Sequence, residues 1–70
     1  MATKRKTNAA RLRAEMIAAT WINGNVSNAK HWVQRASKLV LVEFIVVCVE
    51  DYEMSLTTAT ETVRRWLEEK

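Results

Sequence analysis

An apolar run from Leu39 to Val49, interrupted only by Glu43, constrains the fold of this chain most strongly. Its eleven residues are too few to span a bilayer, which takes about 20 apolar residues in a helix. The chain has 70 residues, and a domain of that size buries only about 60% of its unfolded surface. The run therefore has to be covered by the rest of a short chain, by copies of that chain, or by another protein.

Cys48 and His31 are the only cysteine and histidine in the sequence. One of each cannot form an internal disulfide or a metal site of the usual Cys and His type, so no metal or cofactor is expected. A lone cysteine in an apolar run suits a reducing compartment, and the basic start has no continuous apolar segment of the kind found in secretory signals. We therefore expect a cytoplasmic protein without a membrane span, stabilised by association with other chains.

Charge is distributed unequally between the two halves of the sequence. Residues 1–38 carry eight Lys or Arg and one acidic residue, which gives a net charge of +7, whereas residues 39–70 carry three and seven, which gives −4. Two interpretations fit this asymmetry. The basic half forms a surface for nucleic acid, or it meets acidic groups on another protein or on a neighbouring copy.

The spacing of apolar residues predicts three helices, at about 8–22, 27–52 and 56–69. The first has Leu12, Met16 and Ala19 on one face and ends at Asn23-Gly24-Asn25, whose residues tolerate the positive φ of a helix C-terminus. The third begins after the capping residue Ser55. Residues 1–6 are expected to form a flexible basic arm, and residues 7–70 a single helical domain.

The central segment carries conflicting signals. Apolar residues at three- and four-residue spacing favour one long helix from Ser27 to Tyr52, whereas the β-branched residues of 39–49 favour a strand. A strand needs a partner, and no other segment of the chain has the pattern of one. We favour an all-α fold, a small three-helix domain with a long central helix. The alternative is an α/β fold in which residues 39–49 form an intermolecular strand.

A long central helix would extend beyond its neighbours, because 26 residues rise about 39 Å at 1.5 Å per residue. Part of its apolar surface would then remain uncovered in a monomer. We therefore expect a homodimer or larger oligomer. Its interface is predicted to contain Leu39, Val42, Ile45, Val46 and Val49.

The segment from Gly24 to Ala29, with the sequence GNVSNA, resembles the start of the helix-turn-helix in the Fis-like bacterial DNA-binding proteins. In that family a Gly-Asn pair precedes a helix beginning Val-Ser-x-Ala. The match covers six residues, and the family continues with Leu-Gly and a short recognition helix, whereas this chain continues into Leu39 with no second turn. The resemblance therefore implies a helix start at Val26 or Ser27, and no DNA-contacting residue is carried over.

The sequence offers little for catalysis. An active site needs convergent groups around a pocket, and the sequence has no phosphate-binding glycine loop or paired catalytic carboxylates. His31 stands alone on a basic helix. The apolar neighbours of Cys48 predict a buried, unreactive thiol. We expect no enzymatic activity.

The leading functional hypothesis is a small non-enzymatic accessory or regulatory protein, of the sort that phages and mobile elements often encode, which binds and modulates a larger, acidic protein partner. Tryptophan is enriched at the energetic centres of interfaces. Trp66 lies on the apolar stripe of the third helix and is expected in the core, Trp32 between core and rim, and Trp21 at least partly exposed. The predicted partner-binding residues are Trp21, Trp32, Arg11, Arg13, Lys30 and Arg35.

The alternative hypothesis is a nucleic-acid-binding protein that uses the basic arm and the first two predicted helices. Each phosphate contact by a lysine or arginine would add affinity that falls as salt rises. The residues predicted for this role are Lys4, Arg5, Lys6, Arg11, Arg13, Lys30, Arg35 and Lys38.

Overall fold

The structure is a computed structural model that describes residues 9–70. Within that range the chain forms four helices and no strand: α1 (Ala9–Ile22), α2 (Val26–Arg35), α3 (Lys38–Asp51) and α4 (Leu56–Glu68). The predicted all-helical class is confirmed, and so are the helices predicted at 8–22 and 56–69. The predicted basic arm, residues 1–6, lies outside the described residues.

The long central helix predicted from Ser27 to Tyr52 is not found, because α2 ends at Arg35 and α3 begins at Lys38. Ala36 and Ser37 between them have extended backbone, with ψ of 151° and 165°. The Ser37 hydroxyl accepts a hydrogen bond from the Val40 N–H at 3.3 Å, and so caps α3. A capping serine satisfies the first turn of a new helix and competes with continuation of the preceding one.

The alternative strand at residues 39–49 is wrong as well, since these residues are helical. The reason lies in packing. Phe44, Val47 and Cys48 fall on one face of α3 and are buried against the other helices. Burial of that face outweighs the modest intrinsic preference of β-branched residues for strands.

The core is built where α3 meets α1 on one side and α4 on the other, while α2 packs against α1 and α4. Three aromatic rings form its centre. The Phe44 ring lies 6.0 Å from Trp21 and 6.5 Å from Trp66, and the two indoles are 5.2 Å apart, edge to face. Trp66 is buried, as predicted. Small side chains on three helices are fully buried around the rings: Ala14, Ala18, Ala29 and Ala59.

A residue with positive φ lies in each of two turns, the one between α1 and α2 and the one between α3 and α4. Gly24 adopts a φ of +97° between α1 and α2, at the predicted break, and Asn25 caps α2 by accepting a hydrogen bond from the Asn28 N–H. After α3, Glu53 adopts a φ of +56°, and Ser55 caps α4 as predicted. None of the helices within residues 9–70 is both long and apolar enough to cross a membrane.

Candidate functional site

Arg11 is the first of the predicted partner-binding cations, and it lies inside a network of carboxylates from its own chain. Its Nε donates to Glu15 Oε2 at 3.0 Å. Its Nη1 is 3.5 Å from Glu43 Oε1, and its Nη2 is 3.8 Å from Asp51 Oδ2. We call these four residues the Arg11 network. Because Glu43 and Asp51 belong to α3, the network holds α1 against α3.

Arg11 is a largely buried cation whose surroundings keep it charged. Only 12% of its side chain is exposed. Burial opposes the charged form, but the hydrogen bond to Glu15, the charge of Asp51 and the ion pair with Glu43 together raise the pKa of Arg11. The guanidinium therefore stays charged and lies within 4 Å of three carboxylates, instead of facing outward.

Lys30 is likewise paired within the fold. Its Nζ donates to Glu69 Oε1 at 2.7 Å, and this hydrogen bond lowers the pKa of Glu69. The ion pair links α2 to α4. A second link runs beside it, where the Gln34 side chain donates to the Trp66 carbonyl at 2.8 Å. Lys30 is half-buried, so its charge contributes mainly to the contact between these two helices.

Arg13 and Trp32, in contrast, meet at the surface. The guanidinium carbon of Arg13 lies 5.5 Å from the centre of the Trp32 ring, a cation–π geometry that joins α1 to α2. The His31 ring packs edge-on against the same indole at 5.5 Å. The Trp32 residue remains 44% exposed. We call Arg13 and Trp32 together the Trp32 ridge.

Two clefts flank the Trp32 ridge, and both of its residues line each cleft. The first, of about 450 Å³, extends toward the start of α3 and is lined by Arg35, Ser37 and Leu39. The second, of about 290 Å³, lies along α1 and is lined by Met16, Ile17 and Thr20. We call them the α3 cleft and the α1 cleft.

The two clefts differ in chemistry. The α3 cleft has a second cation, Arg35, and the hydroxyl of Ser37, and the exposed Lys38 follows directly in the chain. The α1 cleft is mostly apolar, and its Met16 is 66% exposed. The rest of the α3 cleft is apolar, formed by Leu39, Val40, Ala9, Ala10 and Ala36. An exposed indole thus lies between a cleft with two arginines and a cleft with one, both with apolar walls, an arrangement suited to a ligand with both carboxylates and apolar side chains.

The face of α1 that was predicted to be buried is largely exposed. Leu12 and Met16 were expected to face the core, but both are exposed, and the buried face is formed by Ala14, Ile17 and Ala18. Arg11 lies on this inner face, since residues three and seven positions apart share one side of a helix. The inner face of α1 therefore carries mainly small alanine side chains, which let α1 approach α3 closely.

The remaining predicted site residues occupy separate regions. Trp21 is half-buried against Phe44 and Trp66 and lines neither cleft. Of the predicted oligomer interface, Leu39 and Val42 are exposed. Ile45, Val46 and Val49 are half-buried, and Ile45 and Val49 pack partly against the core. Lys4, Arg5 and Lys6 lie outside the described residues.

The predicted thiol environment is observed. Cys48 is fully buried, and burial raises its pKa to about 11. The thiol therefore stays protonated near neutral pH and is a poor nucleophile. Among residues 9–70 no three His, Cys, Asp or Glu side chains are grouped as metal ligands.

Comparisons with known proteins do not add to this description. No protein family, curated protein or solved structure matches the chain. Function has to be inferred from the surface itself, and the Trp32 ridge with its two clefts is the surface feature with the most distinctive chemistry.

Proposed function

We propose that this chain is a small non-enzymatic accessory protein that binds an acidic segment of a larger protein through the Trp32 ridge and thereby modulates that protein. One observation carries the proposal: an exposed indole with Arg13 over its ring lies between a cleft that holds a second arginine, Arg35, and a cleft lined by Met16 and Ile17. Exposed tryptophan is unusual on a surface that contacts only water, whereas tryptophan and arginine dominate the energetic centres of protein interfaces.

The geometry suits a ligand with alternating acidic and apolar side chains. A guanidinium stacked on an indole keeps its N–H groups in the plane of the guanidinium, where they can donate to a carboxylate. Arg13 and Arg35 would bind carboxylates in this way, while Met16 and the free face of Trp32 would contact an apolar side chain lying in the α1 cleft. The cations would also speed association with an acidic surface.

Charge favours an acidic protein over nucleic acid as the ligand. The chain has a formal net charge of +3, and Lys4, Arg5 and Lys6 account for all of it, because the eight Lys or Arg of residues 9–70 are balanced by eight Asp or Glu. Arg11 and Lys30, two of the predicted phosphate contacts, are paired with carboxylates of the same chain. Domains that bind nucleic acid generally carry a strongly basic surface. Of the other predicted cations within residues 9–70, Arg13 and Arg35 line the α3 cleft, and Lys38 is exposed.

Self-association through the outer face of α3 is a second part of the proposal. Leu39 is 60% exposed and Val42 is 52% exposed, on a helix whose opposite face forms the core. Contact between copies of the chain would remove these apolar side chains from water. The lone thiol of Cys48 suits a reducing compartment, and we place the protein in the cytoplasm on that ground.

The ligand proposal is tested with defined ligands and fluorescence anisotropy. The ligands are a labelled peptide alternating Glu with Leu, the same peptide with Gln in place of Glu, and a labelled single-stranded and a double-stranded oligonucleotide. We expect the acidic peptide to bind and the Gln peptide to bind at least about tenfold more weakly, because the arginines lose their charged partners. Tighter binding of either oligonucleotide, or equal binding of the two peptides, would overturn the proposal.

Two variants locate the binding surface. Trp32→Ala and Arg13→Ala should each weaken binding of the acidic peptide about tenfold or more, since they remove the ridge. Arg64→Ala is the matched control, because Arg64 is an exposed cation on α4 paired only with Glu68 among the described ion pairs. Unchanged affinity in the two ridge variants, or an equal loss in Arg64→Ala, would contradict the assignment of the site.

A further inference from the structure

The outer face of α3 carries apolar residues at the spacing of a coiled-coil seam. Leu39, Val42, Val46 and Val49 follow one another at intervals of three, four and three residues, as the inward positions of two heptads do. At 100° per residue the centre of this stripe lies opposite the core-facing side of α3. Leu39 and Val42 are exposed, Val46 is half-buried, and Val49, also half-buried, packs partly against the core. We call these four residues the α3 seam.

We propose that two copies of the chain pair through the α3 seam, with their α3 helices parallel and in register. The pairing rests on the self-association proposed above and assigns it an orientation. The choice of a second copy as the occupant rests on the complementary charges that border the seam.

The two flanks of the α3 seam carry different charges. Lys38 and Ile45 lie on one flank, and Glu43 and Glu50 on the other. In a parallel pair, the flank of one helix meets the opposite flank of its neighbour, and the residues that face each other are five positions apart. Lys38 would then face Glu43 of the partner subunit, and the two-fold symmetry would provide this attraction twice.

An antiparallel pair would bring like flanks together. Lys38 would then lie on the far side of the pair from Glu43 of the partner subunit, and the attraction between them would be lost. Loss of this attraction disfavours the antiparallel arrangement relative to the parallel one.

The parallel pairing also determines where the binding surfaces lie. Leu39 belongs both to the α3 seam and to the wall of the α3 cleft, so the Trp32 ridge adjoins the N-terminal end of the seam. In a parallel pair both N-terminal ends, and with them both ridges, lie at the same end of the dimer. Such a dimer would present two equivalent sites to one partner molecule, which raises the effective affinity without any new contact.

Cysteine cross-linking tests the orientation, in a Cys48→Ala background so that only the introduced thiols react. Residue 42 of each copy should meet residue 42 of the other, so the Val42→Cys variant is expected to form a disulfide-linked dimer under mild oxidation. In an antiparallel pair residue 42 would face residue 46, and only a mixture of the Val42→Cys and Val46→Cys variants would cross-link, as a mixed dimer. That result would overturn the parallel arrangement.

Sedimentation equilibrium on the natural sequence separates the remaining outcomes. A monomer at all concentrations would overturn the self-association and the pairing together. A dimer in which Val42→Cys forms no disulfide would leave the self-association intact and overturn the α3 seam, and so would an assembly larger than two. Thr57→Cys, at an exposed position on α4, is the control thiol and should not cross-link.

A charge variant tests the role of the flanks. Lys38→Glu replaces two attractions in the dimer with two repulsions, and we expect its dissociation constant to rise about tenfold or more at low salt. An acidic residue in the first turn of α3 is favourable for the helix, so the fold should tolerate the change. Trp32→Ala is the matched control and should dimerise like the natural sequence, which distinguishes the α3 seam from the ligand-binding surface. Unchanged dimerisation of Lys38→Glu would overturn the parallel arrangement.

Discussion

Arg11 and Arg13 lie two residues apart on α1, and the regions around them differ in almost every respect. Arg11 is held by Glu15, Glu43 and Asp51 on the side of α1 that faces α3. Arg13 stacks on the exposed ring of Trp32 between two open clefts. Two residues along a helix correspond to a rotation of about 200°, which is enough to place one arginine inside the fold and the other at its surface.

The difference shows how one run of basic residues can have two roles. In the Arg11 network one guanidinium lies within 4 Å of three carboxylates of the same chain, so its residues stabilise the packing of α1 on α3. At the Trp32 ridge the indole is only partly covered, and Arg35 in the adjoining cleft has no ion-pair partner among the described salt bridges. The interior region should therefore respond to mutation through stability, and the ridge through binding.

The largest expected effect is at the aromatic core of the interior region. Phe44 is fully buried and contacts both Trp21 and Trp66, so Phe44→Ala should lower the free energy of unfolding by about 3–5 kcal/mol. Trp32→Ala removes a larger side chain from the surface and should cost about 1 kcal/mol or less. Urea unfolding followed by circular dichroism measures both. Equal losses of unfolding free energy in the two variants would contradict the proposed difference between the interior region and the Trp32 ridge.

Alkaline pH provides a second way to examine the interior. The pKa of Cys48 is raised from 9.0 to about 11 because the thiolate would be buried. Above pH 9 the unfolded chain loses this proton first, so the stability that the neutral thiol contributes is present below pH 9 and is lost as pH rises through about 11. The loss should reach about 2 kcal/mol.

The Cys48→Ala variant isolates this effect from the titration of lysine and tyrosine. Unfolding free energies of the natural sequence and the variant, measured between pH 7 and 11, should converge as the pH rises. A constant difference between the two proteins over that range would show that the thiolate is accommodated in the folded state.

Arg11 and Arg13 themselves form the most direct test of the comparison. Arg11→Met keeps an apolar side chain but leaves Glu15, Glu43 and Asp51 without their shared cation, and should cost about 1–2 kcal/mol of stability. Arg13→Met should cost about 0.5 kcal/mol or less, because it affects only a surface contact. Thermal unfolding of the two variants measures this difference in stability. If Arg13→Met proves the more destabilising, the ridge is part of the structural framework.

The features predicted from the sequence are those that depend on local interactions. The helices α1 and α4 are each bounded by residues with a clear role, Gly24 at the end of one and Ser55 at the start of the other. The break within the predicted central helix was missed because Ser37 looks in sequence like a polar residue on the outer face of a continuous helix. Its capping hydrogen bond to Val40 is the interaction that identifies it.

The division of the basic residues could not be predicted because it depends on how α1 is rotated against α3. A signal was present in the sequence. Arg11 shares a helical face with Ala14 and Ala18, and Glu15 follows it at a spacing that favours an ion pair. The sequence-based prediction places the core face on the opposite side of α1, because Leu12 and Met16 have larger apolar side chains. Alanine allows closer helix packing than those residues, and the tertiary contacts of α1 follow the alanines.

Small effects of opposite sign are expected at the turns between α1 and α2 and between α3 and α4, where two residues have a positive φ. Gly24, in the turn that leads from α1 to α2 and the ridge, has a φ of +97°, and no atom lies within 4 Å of where a Cβ would be. Glu53, in the turn that follows α3, has a φ of +56°. Glycine adopts this conformation without strain, whereas a residue with a side chain pays about 1 kcal/mol.

The two positions should therefore respond in opposite directions. Gly24→Ala should lower the free energy of unfolding by about 1 kcal/mol, through backbone strain alone, because there is space for the added methyl group. Glu53→Gly should raise it by about 0.5–1 kcal/mol, since glycine removes the strain at the end of α3, although it also increases the entropy of the unfolded chain. Glu53→Ala is the control for loss of the carboxylate. If Glu53→Gly and Glu53→Ala are equally stable, the conformation of this turn contributes nothing, and the end of α3 is held in place by the Arg11 network instead.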